Sequence, residues 1–225
     1  ERALVAIDAD AAVLDEARSW GADLLIAYHP PLFSPLKRLR SAHPGERWVL
    51  EAVRSGITVY SPHTALDAAT DGMADWLAAA LGDGTSSPIA PRPEQPSVGG
   101  GRIVRLDVPV PFGDALERIK LHLGLGHLRA SRAPDGPALV RSFAVCPGAG
   151  GSLFEKVGAV DLLLSGEMRH HDVLGRRARG THVVLTDHTS SERGYLPTFA
   201  RRLAEACPGL TVRVSERDRE PLVLG

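Results

Sequence analysis

Two short patterns in the chain have the composition of metal ligands. His63-Thr64 is followed at position 67 by an aspartate, and His188-Thr189 at position 192 by a glutamate, so each histidine has an acid four residues beyond it. Imidazole nitrogen and carboxylate oxygen together suit Zn, Mn, Fe or Co, and a carboxylate can bridge two ions. Two ions about 3.5–4 Å apart activate a water and stabilise both the attacking and the leaving oxygen. Taken singly, each pattern reads better as a turn followed by a helix cap; its recurrence at equivalent places makes a constellation. A further polar pair, Tyr28-His29, stands between the apolar run Leu24-Leu-Ile-Ala27 and Pro30-Pro31. Neither proline can donate to a ladder and each pushes its predecessor out of helix, so the pair sits at the carboxyl end of a buried strand. Open α/β sheets place ligands there; the plainer alternative is a capped strand end whose histidine bonds a nearby carbonyl. No serine elbow or Cys–His pairing competes, and Cys146, in an apolar run, reads as structural.

The elements that must hold these residues alternate between strand and helix. In the first half, strands are expected over 3–7, 24–28 and 57–60, with helices over 11–20, 46–55 and 75–81. Asp10 is a plausible N-cap, and Gly21, Gly56 and Gly82 stop the three helices. This order predicts a mainly parallel sheet with helices on its faces. Residues 85–101 gather Pro88, Pro91, Pro93 and Pro96 and end in three glycines, a composition that reads as a linker. The expected division is a first α/β domain over 1–87, a linker over 88–101 and a second α/β domain over 102–225. In the second half, strands are expected over 103–108 and 142–146, with helices over 112–123 and 153–157. The glycine-rich turn 147–152 between strand and helix is the setting of a phosphate cradle or simply of close helix–strand packing; it matches neither the dinucleotide fingerprint nor the P-loop.

Composition sets modest bounds. The chain has 225 residues, a formal net charge of −1 and two cysteines. Charges of both signs are interspersed, so nothing argues for a nucleic-acid or membrane partner. Two isolated cysteines form no disulfide framework, which fits a reducing compartment, the cytoplasm. No apolar run approaches a membrane span. The chain enters a strand almost at its first residue, so an upstream segment is expected to be missing.

An internal repeat ties the patterns together. Leu4 to Asp8, a helix and Gly21-Ala-Asp-Leu-Leu correspond to Phe143 to Cys146, a helix and Gly158-Ala-Val-Asp-Leu-Leu. Each is followed by a polar strand end, Tyr28-His29-Pro30 in one copy and Gly166-Glu-Met-Arg-His-His-Asp172 in the other. Two similar α/β units would put matching strand ends around one cleft.

Five segments in this order resemble the NIF-three family, often labelled GTP cyclohydrolase 1 type 2 homologues. They are the stretches beginning at Tyr28, Tyr60, Gly148, Ser165 and Asp187. The resemblance implies two linked, structurally similar α/β domains, a dinuclear metal site in the cleft between them and a toroidal homohexamer. It implies His29, Asp67, His188 and Glu192 as ligands to two divalent ions (Zn, Mn, Fe or Co), with a fifth ligand position falling on Tyr28. The activity it implies is metal-dependent hydrolysis of a nucleotide-like substrate, for instance opening of the imidazole ring of GTP, with His63, His171 and Glu167 available as general acid or base. The reading from another class is a non-catalytic metal-binding or regulatory interaction protein. The chain departs from the family pattern in lacking its amino-terminal Trp-Asp-Asn-type helix and, at position 28, in having tyrosine where most bacterial members have histidine.

That departure carries a prediction. A phenol ligates well only when deprotonated, and its unperturbed pKa of about 10 opposes this at neutral pH. Two ions bound here should therefore differ in affinity, and Tyr28→His should raise the zinc or manganese content of the weaker site. Elemental analysis per chain checks this; two equally tight ions, unchanged by the substitution, would show that position 28 does not tune the site.

Overall fold

The computed structural model describes residues 1–222. The chain begins with β1 (Arg2–Ala6), α1 (Ala11–Trp20), β2 (Leu24–Ala27), α2 (Pro44–Arg54) and β3 (Thr58–Tyr60). It continues through α3 (Thr64–Ala68), α4 (Met73–Ala78), β4 (Gly84–Ser87), β5 (Ala90–Arg92), β6 (Gln95–Gly100) and β7 (Arg102–Pro111). Next come α5 (Phe112–Leu123), β8 (Arg129–Ser131), β9 (Leu139–Ala149), α6 (Gly151–Phe154), β10 (Leu162–Glu167), α7 (His170–Arg177) and β11 (His182–Leu185). The described chain closes with α8 (Leu196–Ala206) and β12 (Thr211–Val214). The contacts divide it into two compact units, one made of Glu1–His63 with the stretch from Leu196 onward, the other of Thr64–Tyr195.

The first unit is a four-stranded parallel sheet in the order β12-β1-β2-β3. Its helix α1 begins where the Asp10 side chain accepts the Val13 N–H and ends at Gly21, whose left-handed backbone (φ 72°) lets its N–H reach the last carbonyls. Leu4, Val13, Leu14, Ala17, Leu25 and Ala52 make its core. The linear split expected from the sequence differs from this unit, because β12 adds to the free edge of β1, with Val5 opposite Val214. A four-residue strand pairing with the other end of the chain carries no local signal.

The second unit holds a six-stranded mixed sheet, β4-β7-β9-β10-β11-β8, and a two-stranded hairpin, β5-β6. Within it β9, β10 and β11 run parallel and side by side in chain order, as β1, β2 and β3 do in the first unit. The repeat is therefore structural: both units are α/β, and both carry the same three-strand parallel core. Residues 88–101, expected to be a linker, instead form the β5-β6 hairpin. Prolines are tolerated in it because each strand has an open outer edge that needs no donor. Glycine is required in it because a Cβ at Gly99 would stand 2.2 Å from the Ala90 carbonyl oxygen. Helix α6 is also shorter than expected, and α4 passes into a 3-10 turn at Ala79–Leu81.

One buried cation ties this unit together. Arg102 is 2% exposed, and its guanidinium donates to both Asp75 carboxylate oxygens and to the carbonyls of Ala69, Gly99 and Gly101. All five donors of the side chain are thus used, which is what permits its burial. Asp75→Ala would leave the charge uncompensated and should cost roughly 3–5 kcal/mol. The measurement is chemical denaturation of the variant against the wild type; a loss under about 1 kcal/mol would mean the carbonyls alone suffice.

Candidate metal centre

In the first unit, three neighbouring strand ends gather polar side chains. The Tyr28 and His29 N–H groups donate to the Ala6 and Ile7 carbonyls at 2.9 Å each, continuing the β1–β2 pairing to the proline that stops it. His29 Nδ1 lies 2.9 Å from Asp8 Oδ1, which follows β1. His63, beyond β3, adopts φ 43°, in the left-handed region uncommon for a residue other than glycine. Its ring meets those of Tyr28 and His29 at centroid distances of 5.6 and 5.8 Å, and Tyr28 and His29 meet at 4.9 Å. Tyr28 is buried.

The second unit has its own set. His188, just past β11, places Nδ1 2.8 Å from Oε1 of Glu167, the last residue of β10. The 3-10 turn Thr189–Ser191 brings Glu192 back beneath it, with Glu192 Oε1 3.6 Å from His188 Nε2. Partner assignment makes Nδ1 the donor, so Nε2 carries the lone pair and faces a carboxylate oxygen. Two electron-rich atoms held this way suit a shared cation. Gly148 makes the room: a Cβ there would stand 2.6 Å from Glu192 Oε1 and 2.7 Å from His188 Nε2, and its φ of 60° already favours glycine. Imidazole nitrogen beside a buried carboxylate suits borderline divalent ions, so the donor set fits the group expected from the sequence.

Asp67, on α3, belongs to this second unit, on the Glu192 side rather than the Tyr28 side. Burial, and then the negative charges of Asp67 and Glu192, push the Cys146 thiol up to about 12. The glycine-rich turn serves close packing: Gly148 N–H donates to the Ser191 hydroxyl at 2.8 Å and Gly150 N–H to the Ser165 hydroxyl at 2.9 Å.

Of the three acid–base candidates, Glu167 is engaged in orienting His188. It also lines a cleft of about 520 Å3 with Ser152, Glu155, Met168, Arg169 and Asp172. His171 lies exposed on α7 and lines an adjoining cleft of about 330 Å3 with Glu155, Asp172, Arg176 and Arg179. His63 packs against Tyr28 and His29. Asp8 was not among the ligand or acid–base candidates, appearing only as the end of a repeated segment; the one available signal was its place directly after the apolar run of β1.

The thiol pair offers a check. A pKa near 12 keeps Cys146 protonated at pH 8, so it should resist a disulfide-exchange reagent in the folded protein while exposed Cys207 reacts. One thiol per chain should titrate natively and two after denaturation; two reacting natively would show that Cys146 is open to solvent.

Comparisons with known proteins identify the family and the fold. The family model for Duf34/NIF3 (NGG1p interacting factor 3) matches residues 1–221. The Protein NIF3 homolog of Schizosaccharomyces pombe is 37% identical over 232 residues, covering 97% of this chain and 83% of the relative. NIF3-like protein 1 of Drosophila melanogaster is 35% identical over 229 residues, covering 99% and 76%. Among solved structures, a Bacillus cereus protein related to NIF3 superposes with a TM-score of 0.84 at 18% identity, covering 100% of this chain and 89% of that one. With the family model spanning nearly the whole chain and relatives above one-third identity, the chain belongs to the DUF34/NIF3 family.

Proposed function

We propose that the protein is a metal-dependent hydrolase whose ligands are those the sequence resemblance implies, His29, Asp67, His188 and Glu192, holding a dinuclear site with Tyr28 at its margin. The observation that carries this reading is the treatment of the two histidines. Each has its Nδ1 held by a carboxylate, Asp8 for His29 and Glu167 for His188. Metal-binding histidines are oriented in this way, because it fixes the tautomer and presents Nε2 as the ligand. When bound, divalent ions would supply a Lewis acid and lower the pKa of water.

The chain's own residues then divide the work. Asp8 and Glu167 hold the imidazoles, and Gly148 keeps the space around His188 and Glu192 open. His63 and His171 are the side chains available to carry a proton. The cleft beside Glu167 has room for a small molecule, and its mixed lining suits a nucleotide-like one: Arg169 for an anionic group, Glu155 and Asp172 for amino or imino hydrogens.

A second reading is a metal-binding interaction protein, and two observations favour it. The family's own description names an interacting factor. The loop after His29 leaves Leu32, Phe33, Leu36 and Leu39 between 42 and 84% exposed, a surface suited to a partner or to homo-oligomer assembly, including the hexamer that the sequence resemblance implies.

Metal content and turnover separate the two. Protein loaded with zinc or manganese should retain metal, and Glu192→Gln or His188→Ala should lower its affinity more than about 10-fold. Turnover of a nucleotide panel that follows the metal supports the hydrolase; metal retention with no turnover supports the interaction reading. Failure of the wild type to bind either ion would end both.

A further inference from the structure

The two histidine–carboxylate pairs differ in what stands behind them. Glu167 is the last residue of β10 and is held by the sheet itself. Asp8 lies two residues beyond β1, in the turn leading to α1: the continued β1–β2 pairing ends with the His29 N–H on the Ile7 carbonyl and brings Asp8 beside His29. The Asp8 N–H itself is met by a segment from the far end of the chain. After β12, the Ser215 N–H donates to the Val5 carbonyl at 2.8 Å, extending the pairing by one residue. The chain then folds over the end of β1, and the Asp218 carboxylate accepts the Ile7 N–H at 2.6 Å and the Asp8 N–H at 3.4 Å. Glu16, on α1, pins the same segment: its carboxylate accepts the Ser215 hydroxyl and the Glu216 and Arg217 N–H groups, the last two at 2.9 and 3.2 Å. All of these groups belong to the first unit.

We propose that Asp218 is a positioning residue for His29: by holding the Ile7–Asp8 backbone it aims the Asp8 carboxylate at Nδ1 and so selects the tautomer that presents Nε2 to a metal. The inference rests on the reading of His29 as a ligand. Charge-assisted bonds from a carboxylate to backbone N–H groups are among the stronger hydrogen bonds in proteins. The carboxylate that orients a metal-binding imidazole changes the affinity roughly 10–100-fold, and Asp218 acts through that carboxylate. Glu16 acts one step further back, by fixing the segment that carries Asp218.

The test reads the tautomers directly. Nitrogen chemical shifts of the histidine rings are recorded on metal-free protein near pH 8, where an unperturbed imidazole is neutral, for wild type, Asp218→Ala, Asp218→Asn and Glu16→Gln. His188, oriented by Glu167 in the other unit, serves as the control for folding. In the wild type both histidines should carry the proton on Nδ1. Asp218→Ala should let His29 populate the Nε2–H form while His188 stays unchanged, with Asp218→Asn and Glu16→Gln shifting it less. Zinc affinity, measured by competition with a chelating dye, should fall about 10-fold or more in Asp218→Ala. An unchanged His29 tautomer, or a shift in both histidines together, overturns the positioning role. A His29 shift with zinc affinity held within about 2-fold overturns its link to the metal. If the wild type binds no zinc, the metal reading fails and the tautomer result alone decides the positioning of His29.

Discussion

The parallel register of neighbouring strands is the constraint on which the rest depends. Ala6 pairs with Ala27 across β1 and β2, and carried past the strand ends the same offset sets Asp8 beside His29. Their separation of 21 residues is this register continued. A one-residue slip would exchange the two faces of Leu24–Ala27 and misfit side chains of different size against the packing on each side. A core requirement thus doubles as a chemical one. In the second unit Glu167 and His188 are also 21 apart, although Leu162 opposite His182 is a shorter step. Asp187, in the left-handed region at φ 68°, lies in the short excursion that takes up the difference before His188.

Much of this was legible because buried parallel strands write themselves as continuous apolar runs with hard stops. The stretches that became β2, β3 and part of β9, and helix α5, are bounded by glycine, proline or charge. The two histidine-and-acid patterns stood out because they recur. What escaped depends on partners distant in the chain. Asp8 is unremarkable until its neighbour at position 29 is beside it. β12 is a four-residue strand whose partner is the amino terminus. The prolines and glycines of residues 88–101 have the same composition in a loose linker and in a tight hairpin; only the close approach of Gly99 to Ala90 distinguishes them.

Glutamate 167 illustrates how geometry redistributes roles that residue type leaves open. A carboxylate in a polar stretch is a reasonable general base. At the end of β10, 2.8 Å from an imidazole nitrogen, its lone pairs are directed at His188. Each unit then has its own histidine–carboxylate pair of similar design, and the two units repeat one strand core. The pairs are not equivalent in the repeat: the acid follows the first strand in one unit and ends the second strand in the other.

The return of β12 to β1 has a consequence for how the molecule is made. The second unit, Thr64–Tyr195, is continuous in sequence, so its contacts are available as soon as that stretch has left the ribosome. The first unit is emitted earlier yet completed later, because its sheet lacks an edge strand until residues 211–214 emerge. In the interval β1, rich in aliphatic side chains, presents an unpaired edge, the surface most prone to pairing with another chain. Synthesis therefore imposes an order on the architecture: the inserted unit matures first, and the unit whose strands come earlier in the chain is the last to close.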